Sequence, residues 1–230
     1  MQQSHYWIGT RDHGSMATPK LQAPRALASI SLISIIAAIL VTGSHEFSYE
    51  RIEKNRRAHL ILTLNEVLDP SSHDNDLIGS QFSVQDLELL GSTEPVDVFI
   101  ATKSGRPIAA LFSSIAPRGY NGPIQLLVGV TADGMVSGVR VTDHNETPGL
   151  GDAIEIGKSN WVLGFEGVTL MSPPPADWAV EQDKGSFDAL TGATVTPRAV
   201  VDGVRKTLLY FELHKQELFS TTATTGAADE

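Results

Sequence analysis

Residues 96–143 read VDVFIATKSGRPIAALFSSIAPRGYNGPIQLLVGVTADGMVSGVRVTD, and the predicted fold class follows from their pattern. It contains four short apolar runs, VDVFIA, PIAALFS, PIQLLVGV and MVSGVRVTD, rich in the Val, Ile and Leu that are typical of strands. The turn signals Lys103-Ser104-Gly105 and Ala132-Asp133-Gly134 separate consecutive runs, as tight hairpins do. Connections this short predict a meander of antiparallel strands.

A helix is predicted downstream of this meander, from Pro197 to Leu218. Thr196 is a good N-cap, and Pro197 at the first helical position loses nothing by lacking an N–H. Five apolar residues fall near a helical period and form one face that can cover a sheet: Val200, Val201, Val204, Leu208 and Phe211. The predicted fold class is α+β, a small curved antiparallel sheet with flanking helices.

The N-terminal part contains a candidate membrane segment, because no charged residue occurs between Arg25 and Glu46. Residues 26–41 read ALASISLISIIAAILV, and about 20 helical residues span the hydrocarbon core of a bilayer. A single transmembrane helix is predicted at 26–44. A cleaved signal peptide ending near Val41-Thr42-Gly43 is the alternative, but the 25 residues before the segment are long for a signal sequence. A buried core helix is a further alternative.

The remaining domain boundaries follow from composition. Residues 1–25 are predicted to be a cytoplasmic tail, because the nearest positive charges lie on that side of the anchor. Residues 45–95 are predicted as a helical tether and loop, with a helix over Tyr49–Leu68. Residues 96–218 form the globular domain, and 219–230 a flexible tail of low apolar content.

Composition excludes several classes of function. The formal net charge is −10, which argues against a nucleic-acid partner, because phosphate binding needs an excess of Lys and Arg. The chain has no cysteine, so it has no disulfide, thiolate nucleophile or Cys-ligated iron–sulfur cluster. No two histidines have the short spacing of a zinc motif, and no metal site is predicted. A redox role would therefore need an organic cofactor.

The segment DALTGATVT, residues 188–196, is the first functional candidate. Gly192 and Ala193 leave the backbone uncovered, so a bulky group can approach it. Thr194 lies near the positive end of the predicted helix, where a phosphate would meet unpaired N–H groups. The segment is a phosphate-accepting turn with three candidate hydroxyls, those of Thr191, Thr194 and Thr196, or simply a turn with a capping threonine.

A second candidate combines GYNGP at 119–123 with HNETPGLGD at 144–152. A loop rich in Gly and Pro at a strand end suits binding, because small residues expose its backbone donors. Lys158 and Trp161 follow on a short predicted helix. Trp161 could cover a planar ring or fill the core.

These segments together, GYNGPIQLLVGV, HNETPGLGDAI, KSNW and FDALTGATVT, resemble the G subunits of Rnf-type (Rsx) ion-translocating electron transport complexes. The resemblance runs from the anchor to about Leu218. It implies an FMN-binding domain that carries FMN through a phosphoester to the last residue of a D-x-x-[ST]-G-A-[ST] motif, which is Thr194 here. Asp188 and Thr191 match other positions of that motif. Lys184 is a departure, since such proteins often have glycine there.

The resemblance further implies a separate Mg-dependent flavin transferase that uses FAD as donor, other subunits of the same complex as partners, and a flavin domain on the periplasmic side of a bacterial inner membrane. The chain would be an electron relay without independent turnover, so no catalytic residue is assigned. The candidate flavin-site residues are Asp188, Thr191, Gly192, Ala193, Thr194 and Thr196, with Glu146, Thr147, Gly149, Leu150, Gly151, Lys158 and Trp161 from the second loop.

Three alternatives stay open. The C-type flavin component of the sodium-pumping NADH:quinone oxidoreductase shares the attachment motif, although the ETPGLG loop beginning at Glu146 favours the Rnf type. A membrane-tethered module could use the same loop to bind a peptide without redox chemistry. A hydrolase with a threonine nucleophile lacks a His or Lys base at a motif spacing near Thr194.

Overall fold

The computed structural model describes residues 31–37 and 54–225, with side chains as far as Ser220. The chain divides into two compact units, Met1–Lys54 and Asn55–Glu230. The second unit contains a five-stranded sheet in the order β1-β2-β3-β4-β5, in which every neighbouring pair is antiparallel. The strands are β1 (Phe82–Val84), β2 (Val96–Lys103), β3 (Arg106–Ala116), β4 (Ile124–Thr131) and β5 (Val136–Asp143).

The predicted meander is therefore confirmed as β2 to β5. Strand β1 pairs with the start of β2 and lies within the range 45–95 predicted as tether and loop. The β2–β3 turn consists of Ser104 and Gly105, whose φ angles of 51° and 73° are both positive. That is the pattern of a type I′ turn, whose twist matches that of the flanking strands.

Both faces of the sheet are buried, which explains why its strands are almost continuously apolar. Successive side chains of a strand point to opposite faces, and the structure sorts them into two core clusters. One cluster lies under the C-terminal helix and includes Val98, Ile100, Phe112, Leu126, Val128 and Val139. The other includes Phe99, Ala101, Leu111 and Leu127.

The helix α1, residues 54–67, covers the face of the second cluster, to which Leu64, Val67 and the following Leu68 belong. It approaches closely because Gly129 and Gly138 lie opposite each other on β4 and β5. A Cβ at Gly138 would lie 2.8 Å from the carbonyl oxygen of Val67, and one at Gly129 would lie 2.6 Å from Val67 Cγ1. The absence of side chains at Gly129 and Gly138 thus allows α1 to pack closely against the sheet.

An ion pair fixes the same helix to the sheet. Arg140 Nε donates to Glu66 Oε2 at 2.9 Å, and its Nη2 donates to the backbone oxygen of Glu66 at 3.1 Å. A third bond runs from Nη1 to Val139 O at 2.8 Å. The buried guanidinium therefore has a partner on each of its nitrogens, which buried charges require.

The C-terminal helix, α2, runs from Val195 to Thr225. All five residues of the predicted apolar face are buried against the sheet. The predicted helix start was wrong: Thr196 is the second helical residue and Pro197 the third. This costs the helix no hydrogen bond, because N–H groups of the first turn have no intrahelical partner. The helix also continues through the first part of the predicted flexible tail.

Residues 31–37, within the predicted anchor, are helical. Four apolar side chains of this segment are exposed: Leu32, Ile33, Ile35 and Ile36. In the part of the chain that the structure describes, no helix has both the length and the apolar character needed to cross a membrane. The rest of the predicted anchor, the predicted cytoplasmic tail and residues 49–53 of the predicted tether helix lie outside the described residues.

The region between β5 and α2 consists mainly of short 3-10 helices and turns. They are Gly151–Ile154, Trp161–Phe165, Pro175–Asp177 and Glu181–Asp183. The prediction of one short helix carrying both Lys158 and Trp161 was wrong, because Lys158 lies in a turn and Trp161 begins the second 3-10 segment. Four prolines and six glycines between 148 and 185 favour such short elements over a longer helix.

Lys184 occupies a backbone position that suits glycine. Its φ is 65°, in the left-handed region, where a residue with a Cβ loses roughly 1–2 kcal/mol. We expect Lys184→Gly to raise the free energy of unfolding by about 0.5–1 kcal/mol, because the relieved strain exceeds the extra flexibility of the unfolded chain. Urea unfolding measures this. Lys184→Ala keeps the Cβ and should leave stability unchanged; equal stabilisation by alanine would assign the effect to the ammonium group instead.

Candidate functional site

The turn before α2 presents the candidate phosphate acceptor. The N–H of Ala193 donates to the carbonyl oxygen of Leu190 at 3.2 Å, which closes a four-residue turn. Gly192 is the third residue of this turn and has a φ of 80°, as the third residue of a type II turn must. A Cβ at Gly192 would also lie 2.9 Å from Leu150 Cδ2. Leu150 therefore lies directly over Gly192, so the two predicted segments meet.

Thr194 is half-buried and comes immediately before the first residue of α2. The N–H groups of Val195 and Thr196 belong to the first helical turn, so no carbonyl one turn earlier accepts from them. Those groups and the positive end of a long helix favour an anion at this point. The position of Thr194 thus fits an ester between its hydroxyl and a phosphate.

Exposed apolar side chains lie in the segments around Thr194. Val195 is 41% exposed, Leu150 is 45% exposed and Tyr120 is 68% exposed. Gly192, which lies beneath Leu150, is itself exposed. Leu150, which packs over Gly192, and Val195, which follows Thr194, thus place exposed apolar surface in the two predicted segments.

Thr196 and Glu146 form a pair that the sequence did not indicate. Thr196 is buried, and its hydroxyl donates a hydrogen bond to Glu146 Oε2 instead of capping the helix. The other carboxylate oxygen, Oε1, accepts from the backbone N–H of Asn121 at 3.1 Å. Glu146 itself is only 5% exposed. Its carboxylate is therefore turned into the protein, between α2 and the Gly119–Gly122 loop.

The remaining residues of the second loop differ in their surroundings. Gly151 is buried and packs against the Glu146 side chain, whereas Gly149 is exposed with a φ of 77°. Thr147 Oγ1 accepts from Asn121 Nδ2 at 3.2 Å. At Gly151, the small residue makes room for a neighbouring side chain rather than exposing a backbone donor.

Trp161 connects the Asp188 segment to the core. Its indole Nε1 donates to the backbone oxygen of Asp188 at 2.8 Å, and its ring meets Phe165 edge-on at a centroid distance of 5.4 Å. Asp188 and Thr191 are both exposed. Trp161 is half-buried, so it packs on the core while fixing the backbone at the start of the DALTGATVT segment.

Lys158 points its ammonium towards a carboxylate of its own loop. The distance from Lys158 Nζ to Asp152 Oδ2 is 3.7 Å, and the lysine side chain is 55% exposed. Asp152 is buried, but the lysine end of this long ion pair is open to solvent, so the pair contributes little to stability. Lys158 stays a predicted site residue without a described contact to the Thr194 segment.

A histidine that sequence reasoning did not single out orders the second loop. The N–H of Glu146 donates to His144 Nδ1 at 3.0 Å, and His144 Nε2 lies 3.0 Å from Glu155 Oε1. Since Nδ1 accepts, the ring proton of the neutral imidazole lies on Nε2 and is donated to Glu155. Asn121 was missed as well. Both residues stand in the quoted motifs, but only their contacts assign them a role.

An exposed ion pair joins α2 to the loop before the site. Arg198 Nη2 donates to Asp183 Oδ1 at 2.6 Å, and its Nε donates to Oδ2. This forked hydrogen bond from the guanidinium lowers the pKa of the Asp183 carboxyl. The carboxylate also offsets a positive charge in the first turn of a helix, which is unfavourable to the helix dipole.

A cavity of ≈ 130 Å³ occurs elsewhere, between α1 and the 73–78 loop, where Leu64, His73 and Asn75 line it. None of the predicted site residues lines this cavity. The surface at Thr194 is formed by exposed residues on either side of it, Gly192 and Val195. A ligand held by a covalent bond can use such a surface, because the bond replaces the enclosure that a dissociable ligand needs.

Comparison with known proteins gives consistent results. Residues 119–209 match the FMN-binding domain family. The chain is 43% identical to a protein of Shewanella loihica over 194 residues, which cover 84% of this chain and 92% of that protein. It is 44% identical to a protein of Pseudomonas aeruginosa over 197 residues, covering 86% and 92% of the two chains. It is 43% identical to a protein of Pseudoalteromonas atlantica over 193 residues, covering 84% and 90%. All three relatives are named as the G subunit of an ion-translocating oxidoreductase complex.

Proposed function

Because the chain belongs to the family of ion-translocating oxidoreductase complex G subunits, we propose that it is an electron-transfer flavoprotein that carries FMN covalently on Thr194. The flavin supplies one- and two-electron redox chemistry when it is bound. The protein holds the ring, sets its surroundings and connects it to the rest of the complex. This conclusion agrees with the match of residues 119–209 to the FMN-binding domain family.

The placement of Thr194 supports the covalent site most directly. This residue stands directly before α2, beside the unpaired N–H groups of the first helical turn. Thr191 lies at the exposed corner of the preceding turn, and the Thr196 hydroxyl is already bonded to Glu146. Of the three candidate hydroxyls, that of Thr194 best combines access with a favourable electrostatic position.

The attachment would be a phosphoryl-type group transfer from FAD. The Thr194 Oγ would form a new bond to the phosphorus of the FMN half as the anhydride bond to AMP breaks, and AMP leaves with the bridging oxygen. The hydroxyl proton passes to a base of the transferase, which also supplies Mg²⁺. The exposed side chains of Leu150 and Val195 support a ring resting on this surface.

The proposal includes a single membrane anchor at 26–44, with the flavin domain on the periplasmic side of a bacterial inner membrane. The charge-free interval between Arg25 and Glu46 and the helical conformation of residues 31–37 support the anchor. Other membrane and peripheral subunits of the same complex would supply and accept the electrons. The names of the relatives, which describe them as complex subunits, support this partnership.

The test is to produce the full chain with and without its flavin transferase. After denaturing electrophoresis, the band from the co-produced sample should fluoresce under ultraviolet light, and mass spectrometry should locate the added FMN on the peptide containing Thr194. The sample without transferase is the control and should carry no covalent flavin. An unmodified chain in both samples would refute the covalent proposal, and a label on Thr191 or Thr196 would refute the assigned residue.

A further inference from the structure

Glu146 is a buried carboxylate that joins three separate segments of the chain. Its Oε1 accepts from the N–H of Asn121 at 3.1 Å, and its Oε2 accepts from the hydroxyl of Thr196. The loop around Asn121, the loop around Glu146 and the first turn of α2 thus meet at one side chain. A buried carboxylate is expensive unless it is hydrogen-bonded, and here both oxygens have donors.

Two glycines make the space for this carboxylate. A Cβ at Gly119 would lie 2.8 Å from Glu146 Oε1, and a Cβ at Gly151 would lie 2.9 Å from Oε2 and 3.0 Å from Thr196 Oγ1. Both carboxylate distances are too short for a normal contact. Larger residues at either position would push the carboxylate out of its place, so the glycine positions and the acid form one arrangement.

The backbone of Glu146 is held as well. Its N–H donates to His144 Nδ1 at 3.0 Å, and the same imidazole bonds Glu155 through Nε2 at 3.0 Å. Main chain and side chain of Glu146 are therefore both fixed, which leaves its carboxylate little freedom to follow a movement of Thr196. The position of the loop around Glu146 therefore determines where Thr196, in the first turn of α2, can lie.

We propose that Glu146 is a positioning residue for flavin attachment, which holds the first turn of α2 through Thr196 and so fixes the Thr194 hydroxyl in its reactive placement. The inference rests on the proposed covalent site at Thr194. Glu146 is not a phosphate ligand, because two anions repel each other. Its contribution is geometric: a group transfer needs the attacking oxygen in line, and small displacements of that oxygen slow the reaction strongly.

The test uses the full chain made without transferase, then supplied with purified transferase, Mg²⁺ and FAD, with the initial rate of FMN incorporation followed by intact mass. We expect Glu146→Ala to slow attachment about 10- to 100-fold. Glu146→Gln keeps an acceptor for Asn121 and a hydrogen-bonding group for Thr196, so it should restore most of the wild-type rate. Thr196→Val removes one hydroxyl at constant shape. Like Glu146→Ala, it should slow the attachment of FMN.

Thr207→Val is the matched control for loss of stability. Thr207 lies on the same helix and is fully buried; its hydroxyl donates to Gly203 O at 2.9 Å and lies 2.9 Å from the hydroxyl oxygen of Ser114. Its replacement removes a comparable buried hydroxyl far along α2 from Thr194. It should lower the melting temperature but leave the attachment rate unchanged at a temperature where every variant is folded.

Amide hydrogen exchange of the unmodified protein gives a second measurement, independent of flavin. Exchange at Asn121 should accelerate in Glu146→Ala and stay slow in Glu146→Gln, because the backbone bond is kept in the second variant. Wild-type protein that takes no flavin would refute the proposed function itself. Wild-type protein that takes flavin normally, with Glu146→Ala at the same rate or slowed no more than Thr207→Val, would overturn the positioning role alone.

Discussion

Replacement of Thr194 by valine should abolish covalent flavin completely. Valine has nearly the shape of threonine but no oxygen that could form the ester, so the loss is all-or-none. The residue precedes the first helical position. Loss of the capping side chain at such a position typically costs about 1 kcal/mol. The variant should therefore stay folded. Intact mass and in-gel fluorescence of protein made together with the transferase measure the result.

Two variants control this experiment. Thr194→Ser keeps a hydroxyl on the same carbon and should retain covalent flavin. Thr207→Val removes a buried hydroxyl farther along α2, outside the motif, and should leave the label in place. A Thr194→Val protein that still fluoresces would show that another residue carries the flavin, and peptide mass would then identify it.

Replacement of Gly138 by alanine should cause the largest loss of stability. Its Cβ would lie 2.8 Å from Val67 O and 3.0 Å from Val67 Cα, both backbone atoms of α1. Helix and sheet would have to separate, and overpacking of this kind costs about 2 kcal/mol. For a chain of this size, that corresponds to a fall of about 4–8 °C in the melting temperature. Calorimetry or thermal denaturation followed by circular dichroism measures the fall.

Gly164→Ala is the control for the loss of a glycine as such. Gly164 lies in the 3-10 helix Trp161–Phe165, and a Cβ there meets no atom within 4 Å. Its stability should change by no more than about 0.5 kcal/mol. If Gly138→Ala lowered the stability no more than this control, close packing of α1 on the glycine pair would not be required. The Glu66–Arg140 ion pair would then be the main polar contact between α1 and the sheet.

Sequence patterns predicted the parts of the fold that depend on neighbours along the chain. Strands β2 to β5 and their turns followed from apolar runs separated by glycine-containing turns, because strand and turn preferences are local. The buried face of α2 followed from helical periodicity. The helix start was misplaced by two residues, since Thr196 satisfies the capping pattern but directs its hydroxyl to Glu146.

The candidate site was likewise predictable only where it depends on residues close together in the chain. The DALTGATVT segment and the loop beginning at His144 were recognisable as sequence motifs, and relatives of the same family confirm the resemblance that they carry. The motif could not show which hydroxyl is already occupied or which side chain covers Gly192. Those facts depend on Glu146 and Leu150, which lie more than forty residues away along the chain.

Residue patterns alone thus predicted the meander, the buried face of the C-terminal helix, the family resemblance and the segment that contains Thr194. Each of these is carried by residues close together in the chain, whose backbone preferences and spacing act locally. The folded chain was needed to show that Gly129 and Gly138 allow α1 to approach the sheet, that Gly119 and Gly151 make room for a carboxylate, and that Glu146 accepts a hydrogen bond from Thr196. Each of these depends on which distant segments pack together, and packing at van der Waals distance is a property of the folded chain.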